Sequence, residues 1–141
     1  MSSAADKGDS RPRILIIDDE PDLVMLLSDL LRARGFEPVA SRDGLDGIID
    51  GLDDPIDLVI IDIMMPYADG ISVLNIFKAV RPEVPAIILT GKTTPDDIKR
   101  GYEWGCDAYV TKPFDHDHLV AEINRLLQPA AAAQATGPDA Q

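Results

Sequence analysis

The chain has 141 residues, enough for one domain with a buried core, and 45% of them are hydrophobic. The formal net charge is −12, because 25 acidic residues, 20 of them Asp, outnumber 13 basic ones. This acidity argues against nucleic acid and against an anionic membrane surface as partners, since both are bound by basic surfaces.

One cysteine, Cys106, is present, so an intrachain disulfide is excluded and a reducing compartment is favoured. No apolar stretch resembles a signal peptide or a membrane span. We therefore expect a soluble, cytoplasmic protein with no membrane partner.

Residues 1–12 are small, polar and aperiodic, and residues 129–141 are rich in Ala. These patterns predict a disordered arm and a disordered tail around one domain over residues 13–128.

The first half of that domain alternates between strand and helix patterns. An aliphatic run over residues 14–17 predicts the first strand, and leucines at helical spacing predict a helix that Gly35 ends. A weaker strand is predicted over residues 37–40. A short second helix is predicted over residues 43–52.

The second half repeats the alternation with two further aliphatic runs. They are residues 58–61 and 86–89, and a third helix between them contains Ile71 and Phe77 and ends before Pro82. The remaining predicted elements are a fourth helix over residues 95–104, a fifth strand over residues 108–111 and a fifth helix over residues 116–127.

Short, continuous aliphatic runs are typical of strands that are buried on both faces of a parallel sheet. Crossover helices between such strands give a three-layer α/β fold. We predict a doubly wound, flavodoxin-like sheet of five parallel strands in the order 2-1-3-4-5.

Reactive side chains follow four of the predicted strands. Asp18 and Asp19 follow the first strand, Asp62 follows the third, Thr90 ends the fourth and Lys112 follows the fifth. Ligands of doubly wound sheets bind at the carboxyl ends of the strands, so we expect these side chains to converge.

Carboxylates that share a cleft repel one another unless they are protonated or hold a cation such as Mg²⁺. A carboxylate beside such an ion can attack phosphorus.

Four segments carry a resemblance to a known family. They are IDDEPDL (17–23), IDIMMPYADG (61–70), ILTG (88–91) and DAYVTKPF (107–114), and in order and spacing they resemble the signature blocks of response-regulator receiver domains. The resemblance covers residues 13–127. It implies a chemotaxis-regulator-like phosphoacceptor domain of bacterial two-component signalling, which is not an enzyme beyond its own phosphorylation and dephosphorylation.

The resemblance also implies a role for each site residue. Asp62 is the phosphoacceptor, Asp19 is a direct ligand of Mg²⁺, for which Mn²⁺ can substitute, and Asp18 acts chiefly through a bound water. Asp62 and the backbone carbonyl of Met64 complete the metal ligands. The remaining implied roles are the switch hydroxyl for Thr90, the switch aromatic for Tyr109 and contact with the phosphoryl group for Lys112, whose peptide bond to Pro113 is expected to be cis.

The implied partners are a sensor histidine kinase or a histidine phosphotransfer protein as donor, and a downstream target. The target is expected on the surface of the fourth helix, the fifth strand and the fifth helix, and the oligomeric state is expected to be a monomer or a weak homodimer. If the chain is complete, it works as a stand-alone regulator or a phosphorelay intermediate. If it is a piece of a longer protein, an output domain lies outside it.

Three other functions compete with this interpretation. A small phosphohydrolase with an Asp nucleophile needs a second acid two residues after that Asp, where this chain has Met64. A flavodoxin-like cofactor binder needs a phosphate-binding loop after the first strand, where Asp18, Asp19 and Glu20 would repel phosphate. A pseudo-receiver that binds partners without phosphorylation stays open. The pair Asp18 and Asp19 also has a simpler interpretation as the N-terminal cap of the first helix.

Overall fold

A computed structural model describes residues 11–41, 55–63 and 70–127 of the chain. Within these ranges the elements, in chain order, are β1 (Arg13–Ile17), α1 (Pro21–Ala33), β2 (Glu37–Ser41), β3 (Leu58–Ile61), α2 (Gly70–Val80), β4 (Ala86–Thr90), α3 (Pro95–Glu103), β5 (Ala108–Thr111) and α4 (His116–Leu127). The helix predicted over residues 43–52, the tail and nearly all of the N-terminal arm lie outside the described residues.

The five strands form one sheet in the order β2-β1-β3-β4-β5, and all the pairings are parallel. The predicted fold and strand order are confirmed. In the register of the central strands, Ile17 lies opposite Ile61 and Ile88 lies opposite Tyr109. The last residues of β1 and β3 are therefore level with each other, so that whatever follows them meets at one edge of the sheet.

The strands divide their side chains between two hydrophobic clusters, one on each face of the sheet. Ile14 and Ile16 of β1 belong to a cluster completed by α1 and α4, and Leu15 and Ile17 belong to a cluster completed chiefly by α2. These four side chains are fully buried, which explains why β1 has no alternation of polar residues. Burial of one such side chain contributes about 1.5–3 kcal/mol, so the aliphatic sheet is the main source of stability.

The helix ends follow local rules that the sequence contains. Gly35 and Gly105 have φ angles of 94° and 108°, a left-handed conformation that ends α1, as predicted, and α3. The hydroxyl of Thr94 accepts a hydrogen bond from the Asp97 N–H and the Asp97 side chain bonds back to Thr94, which gives α3 a capping box. At α1 the N-cap is Glu20 with no side-chain cap bond, so neither Asp18 nor Asp19 caps that helix.

Among the described residues, no helix combines the length and the apolar character that crossing a bilayer requires.

Gly70 fixes how closely α2 approaches the end of β3. A Cβ at this position would lie 2.4 Å from the Ile63 Cα and 2.5 Å from the Asp62 backbone oxygen, so the backbone itself would have to move. We expect Gly70→Ala to lower the free energy of unfolding by about 1–3 kcal/mol in urea denaturation. The control is Gly91→Ala, because a Cβ there meets nothing within 4 Å. Equal losses in the two variants would contradict this account of Gly70.

Candidate functional site

The ends of β1 and β3 bring two aspartates together. The Asp62 N–H donates a hydrogen bond to the Ile17 carbonyl at 3.0 Å, which extends the pairing of the two strands by one residue. Asp18, the residue after Ile17, and Asp62 are only 2% and 6% exposed. Two carboxylates are thus buried side by side at the carboxyl edge of the sheet, as the sequence predicted for this edge.

Lys112 is the cation that faces these carboxylates. Its N–H donates to the Thr90 carbonyl at 2.8 Å, which fixes its backbone beside the end of β4. Its Nζ lies 3.2 Å from Asp18 Oδ2, 3.1 Å from Asp62 Oδ2 and 3.1 Å from Glu20 Oε1. The Lys112–Pro113 peptide bond is cis, as predicted. One ammonium group therefore serves three carboxylates, and negative charge remains in excess.

The pKa values reflect this imbalance. Burial raises the pKa of Asp18, and the charge of Asp62 raises it further, although the Glu20 N–H and Lys112 act in the opposite direction. For Lys112, burial lowers the pKa, but the negative charges of Asp18 and Asp62 outweigh it and the net shift is upward. Lys112 therefore stays charged at neutral pH, and a further cation would relieve the remaining repulsion among the carboxylates.

The donor set fits a hard divalent cation. One carboxylate oxygen from each of Asp18, Glu20 and Asp62 lies within 4.8 Å of the other two, and carboxylate oxygens are the ligands that Mg²⁺ prefers. Glu20 was not predicted as a member of this group, although it directly follows the two aspartates in sequence. Asp19 is half-buried and lies outside the group, and Met64 lies outside the described residues.

Thr90 and Tyr109 both bond to the backbone of one residue, Lys92. Thr90 is fully buried, and its Oγ1 accepts a long hydrogen bond of 3.4 Å from the Lys92 N–H. The Tyr109 hydroxyl donates to the Lys92 carbonyl at 2.8 Å. Burial, with the negative charge of Asp97, raises the pKa of Tyr109 to about 12, so the hydroxyl keeps its proton as a donor. The sequence singled out both residues but not this link between them.

Four other residues of distinctive chemistry lie apart from the acidic group. His116 and His118 are exposed. Cys106 is buried, and burial raises the pKa of its thiol to about 12, so it is a small core residue that keeps its proton. Trp104 is half-buried against the hydrophobic cluster that contains α2.

Comparison with known proteins gives matches over most of the chain. The family model described as "Response regulator receiver domain" matches residues 14–124. The transcriptional regulatory protein PrrA of Mycobacterium leprae is 36% identical over 127 residues, which are 90% of this chain and 54% of PrrA. The chain thus spans about half the length of the curated relatives it matches.

Two solved structures are similar at about 30% identity. The receiver domain of the Francisella response regulator 1452 has a TM-score of 0.80, with 30% identity over 85% of this chain and 99% of that one. The response regulator TrrA from Thermotoga maritima, solved in complex with Mg²⁺-BeF, has a TM-score of 0.75, with 30% identity over 82% of this chain and 98% of that one.

The charge balance of the site can be tested without any ligand. In buffer free of divalent ions, we expect Lys112→Met to lower the free energy of unfolding by about 3–5 kcal/mol, because it leaves buried carboxylates without their cation. As a control, Lys78→Met should cost only about 1 kcal/mol, since Lys78 pairs with the more exposed Asp107. Adding Asp18→Asn to Lys112→Met should recover part of the loss. Equal costs for the two lysines in chemical denaturation would refute the charge argument.

Proposed function

The chain belongs to the response regulator receiver domain family, and from this membership we propose that it accepts a phosphoryl group on Asp62 and thereby controls the binding of a partner. The observation that carries the proposal is the position of Asp62. Its carboxylate is buried at the end of β3, 3.1 Å from the ammonium of Lys112 and beside the carboxylate of Asp18. A carboxylate in that setting is suited to act as a nucleophile toward phosphorus once negative charge is compensated.

The reaction follows from the groups around Asp62. A carboxylate oxygen of Asp62 attacks phosphorus, and the bond from phosphorus to the donor, a histidine nitrogen of a kinase or the oxygen of acetyl phosphate, breaks with its electron pair going to the donor. Lys112 supplies positive charge to the phosphoryl oxygens, and Thr90 donates its hydroxyl proton to one of them. Attack of water on the same phosphorus returns Asp62 and inorganic phosphate.

We further propose Mg²⁺ as the cofactor, held directly by Asp19, Asp62 and the Met64 carbonyl and by Asp18 through water, as the family resemblance implies. When bound, the ion neutralises charge on the phosphoryl donor and on the acidic cluster. The support from geometry is the group of carboxylates that Asp18, Glu20 and Asp62 form.

The hydrogen bonds at Thr90 offer a way for phosphorylation at the site to change the surface of the protein. When the hydroxyl of Thr90 donates to a phosphoryl oxygen, its bond with the Lys92 N–H changes, and the Lys92 carbonyl is the acceptor for Tyr109. In the proposed switch Tyr109 turns with that change. The predicted fourth helix, fifth strand and fifth helix correspond to α3, β5 and α4, and the surface that they form is here called the α3-β5-α4 face. In the proposed switch this face alters and binds its target differently.

The partners proposed are a sensor histidine kinase or a histidine phosphotransfer protein as donor, and a protein target at the α3-β5-α4 face. Several relatives are named transcriptional regulatory proteins, and the chain spans about half of their length. We therefore also propose that a DNA-binding output segment acts together with this domain. For the chain itself, its net charge of −12 argues against direct contact with nucleic acid. We propose a cytoplasmic location and a monomer or weak homodimer.

Phosphorylation of Asp62 is tested by intact mass after incubation with acetyl phosphate. We expect a gain of one phosphoryl group that requires Mg²⁺ and is absent in Asp62→Asn, because the amide cannot act as the nucleophile. The matched control is Asp96→Asn in the first turn of α3, an exposed position that should leave the adduct unchanged. Absence of an adduct in the wild type at short times, together with no binding of beryllofluoride, would refute the proposal and favour a pseudo-receiver.

The metal ligands are tested by calorimetric titration with Mg²⁺. We expect Asp19→Asn and Asp62→Asn to weaken Mg²⁺ binding at least about tenfold, because each removes a charged ligand. Glu20→Gln should weaken it much less, since the Glu20 side chain is 63% exposed. A larger loss in Glu20→Gln than in Asp19→Asn would transfer the direct ligand role from Asp19 to Glu20.

A further inference from the structure

The ring of Tyr109 lies in a narrow space between β4 and α3. On the sheet, Tyr109 lies opposite Ile88 of β4. On the helix, a Cβ added to Gly101 would lie 2.5 Å from Cδ2 and 2.7 Å from Cε2 of the Tyr109 ring, and 3.2 Å from Cδ1 of Ile88. Real Cβ atoms do not approach other atoms so closely, so the ring occupies this space only because residue 101 has no side chain.

We propose that Gly101 is a positioning residue for the switch, which admits the Tyr109 ring to the place where its hydroxyl reaches the Lys92 carbonyl. The proposal rests on the proposed function of Asp62 and adds the residue that governs how Tyr109 responds. A side chain at position 101 would expel the ring, and the 2.8 Å bond from the Tyr109 hydroxyl to Lys92 would be lost with it. Thr90, which bonds to the N–H of the same Lys92, would then be uncoupled from Tyr109.

The identity of the contacted atoms makes this effect specific. At Gly70 a Cβ meets backbone atoms, so the fold itself must yield, whereas at Gly101 it meets the ring and one side-chain carbon. Tyr109 is only half-buried and its hydroxyl lies near the surface, so the ring can swing outward without opening the core. An alanine at position 101 therefore changes the position of the ring while the sheet stays intact.

Helix propensity supports the same inference. Gly101 lies inside α3 and is buried, where glycine is less favourable than alanine because it loses more backbone entropy on folding. Nothing about its backbone requires glycine, since Gly35 and Gly105 are the described glycines with positive φ. The close approach of the Tyr109 ring is the feature that explains a glycine at this position.

The contact is tested first by a double-mutant cycle in urea unfolding. In a Tyr109→Ala background, Gly101→Ala should stabilise the protein, because the ring is gone and only helix propensity acts. In the wild-type background the same change should be less favourable by a factor of at least about five in the unfolding equilibrium constant. Additive effects of the two substitutions would overturn the proposal, because Gly101 would then not hold the ring.

The second test measures the response of the switch. Amide NMR spectra are recorded with and without Mg²⁺ and beryllofluoride, and phosphoryl uptake from acetyl phosphate is followed by intact mass. Gly101→Ala should form the same adduct as the wild type, while the shifts at Lys92 and on the α3-β5-α4 face fall at least about twofold. Lys99→Ala is the control, because Lys99 is an exposed residue of the same helix.

The two tests separate the possible failures. An adduct in both proteins with equal spectral changes would overturn the role of Gly101 and leave phosphorylation of Asp62 standing. No adduct in the wild type would instead overturn the proposed function, and the unfolding cycle would still decide whether Gly101 holds the ring.

Discussion

The parallel pairing of the central strands is the constraint on which the site depends. Lys112 lies 94 residues from Asp18 and 50 residues from Asp62 in sequence, yet its ammonium contacts both carboxylates. Parallel strands end at the same edge of a sheet, so the residues that follow β1, β3 and β5 meet without any local sequence signal between them. The bond from the Asp62 N–H to the Ile17 carbonyl makes this alignment precise at the level of one residue. The chemistry of the site is thus a consequence of sheet register.

The same alignment creates an electrostatic cost that the rest of the fold has to offset. Buried charges are costly even when paired, and here one ammonium faces three carboxylates. The upward pKa shift of Asp18, whose largest cause is burial, is the signature of this cost. The aliphatic sheet offsets this cost, because strands such as β3 are buried at every position and hydrophobic burial stabilises the fold. The excess of negative charge at this edge favours a cation over an anion, so the proposed phosphoryl donor needs a cation beside it.

The fold was predictable because its signals are local in sequence. Continuous aliphatic runs indicated strands buried on both faces, and the reactive residues directly follow those runs, so Asp18, Asp62 and Lys112 were found together with the strands. Glu20 was missed because the direction of an exposed side chain depends on the position of Lys112, which only the folded chain sets. The contact of Gly101 with Tyr109 was missed for a similar reason, since it depends on how α3 lies across the sheet. The metal role of Asp19 and all the functional roles stay predictions.

The two helices beside the site, α2 and α3, differ in how firmly they are packed. This difference indicates which of them can shift. Four residues of α2 are buried, including Phe77, and Gly70 brings its first turn against the backbone of Asp62. In α3 the buried residue is Gly101 alone, a residue with no side chain to anchor the helix. Segments with few buried apolar contacts open at low cost in free energy, so α3 is the element that can shift while β3 and α2 hold Asp62 still. The proposed phosphorylation switch requires this division, because attack by Asp62 on phosphorus needs fixed geometry and the output needs a surface with two accessible states.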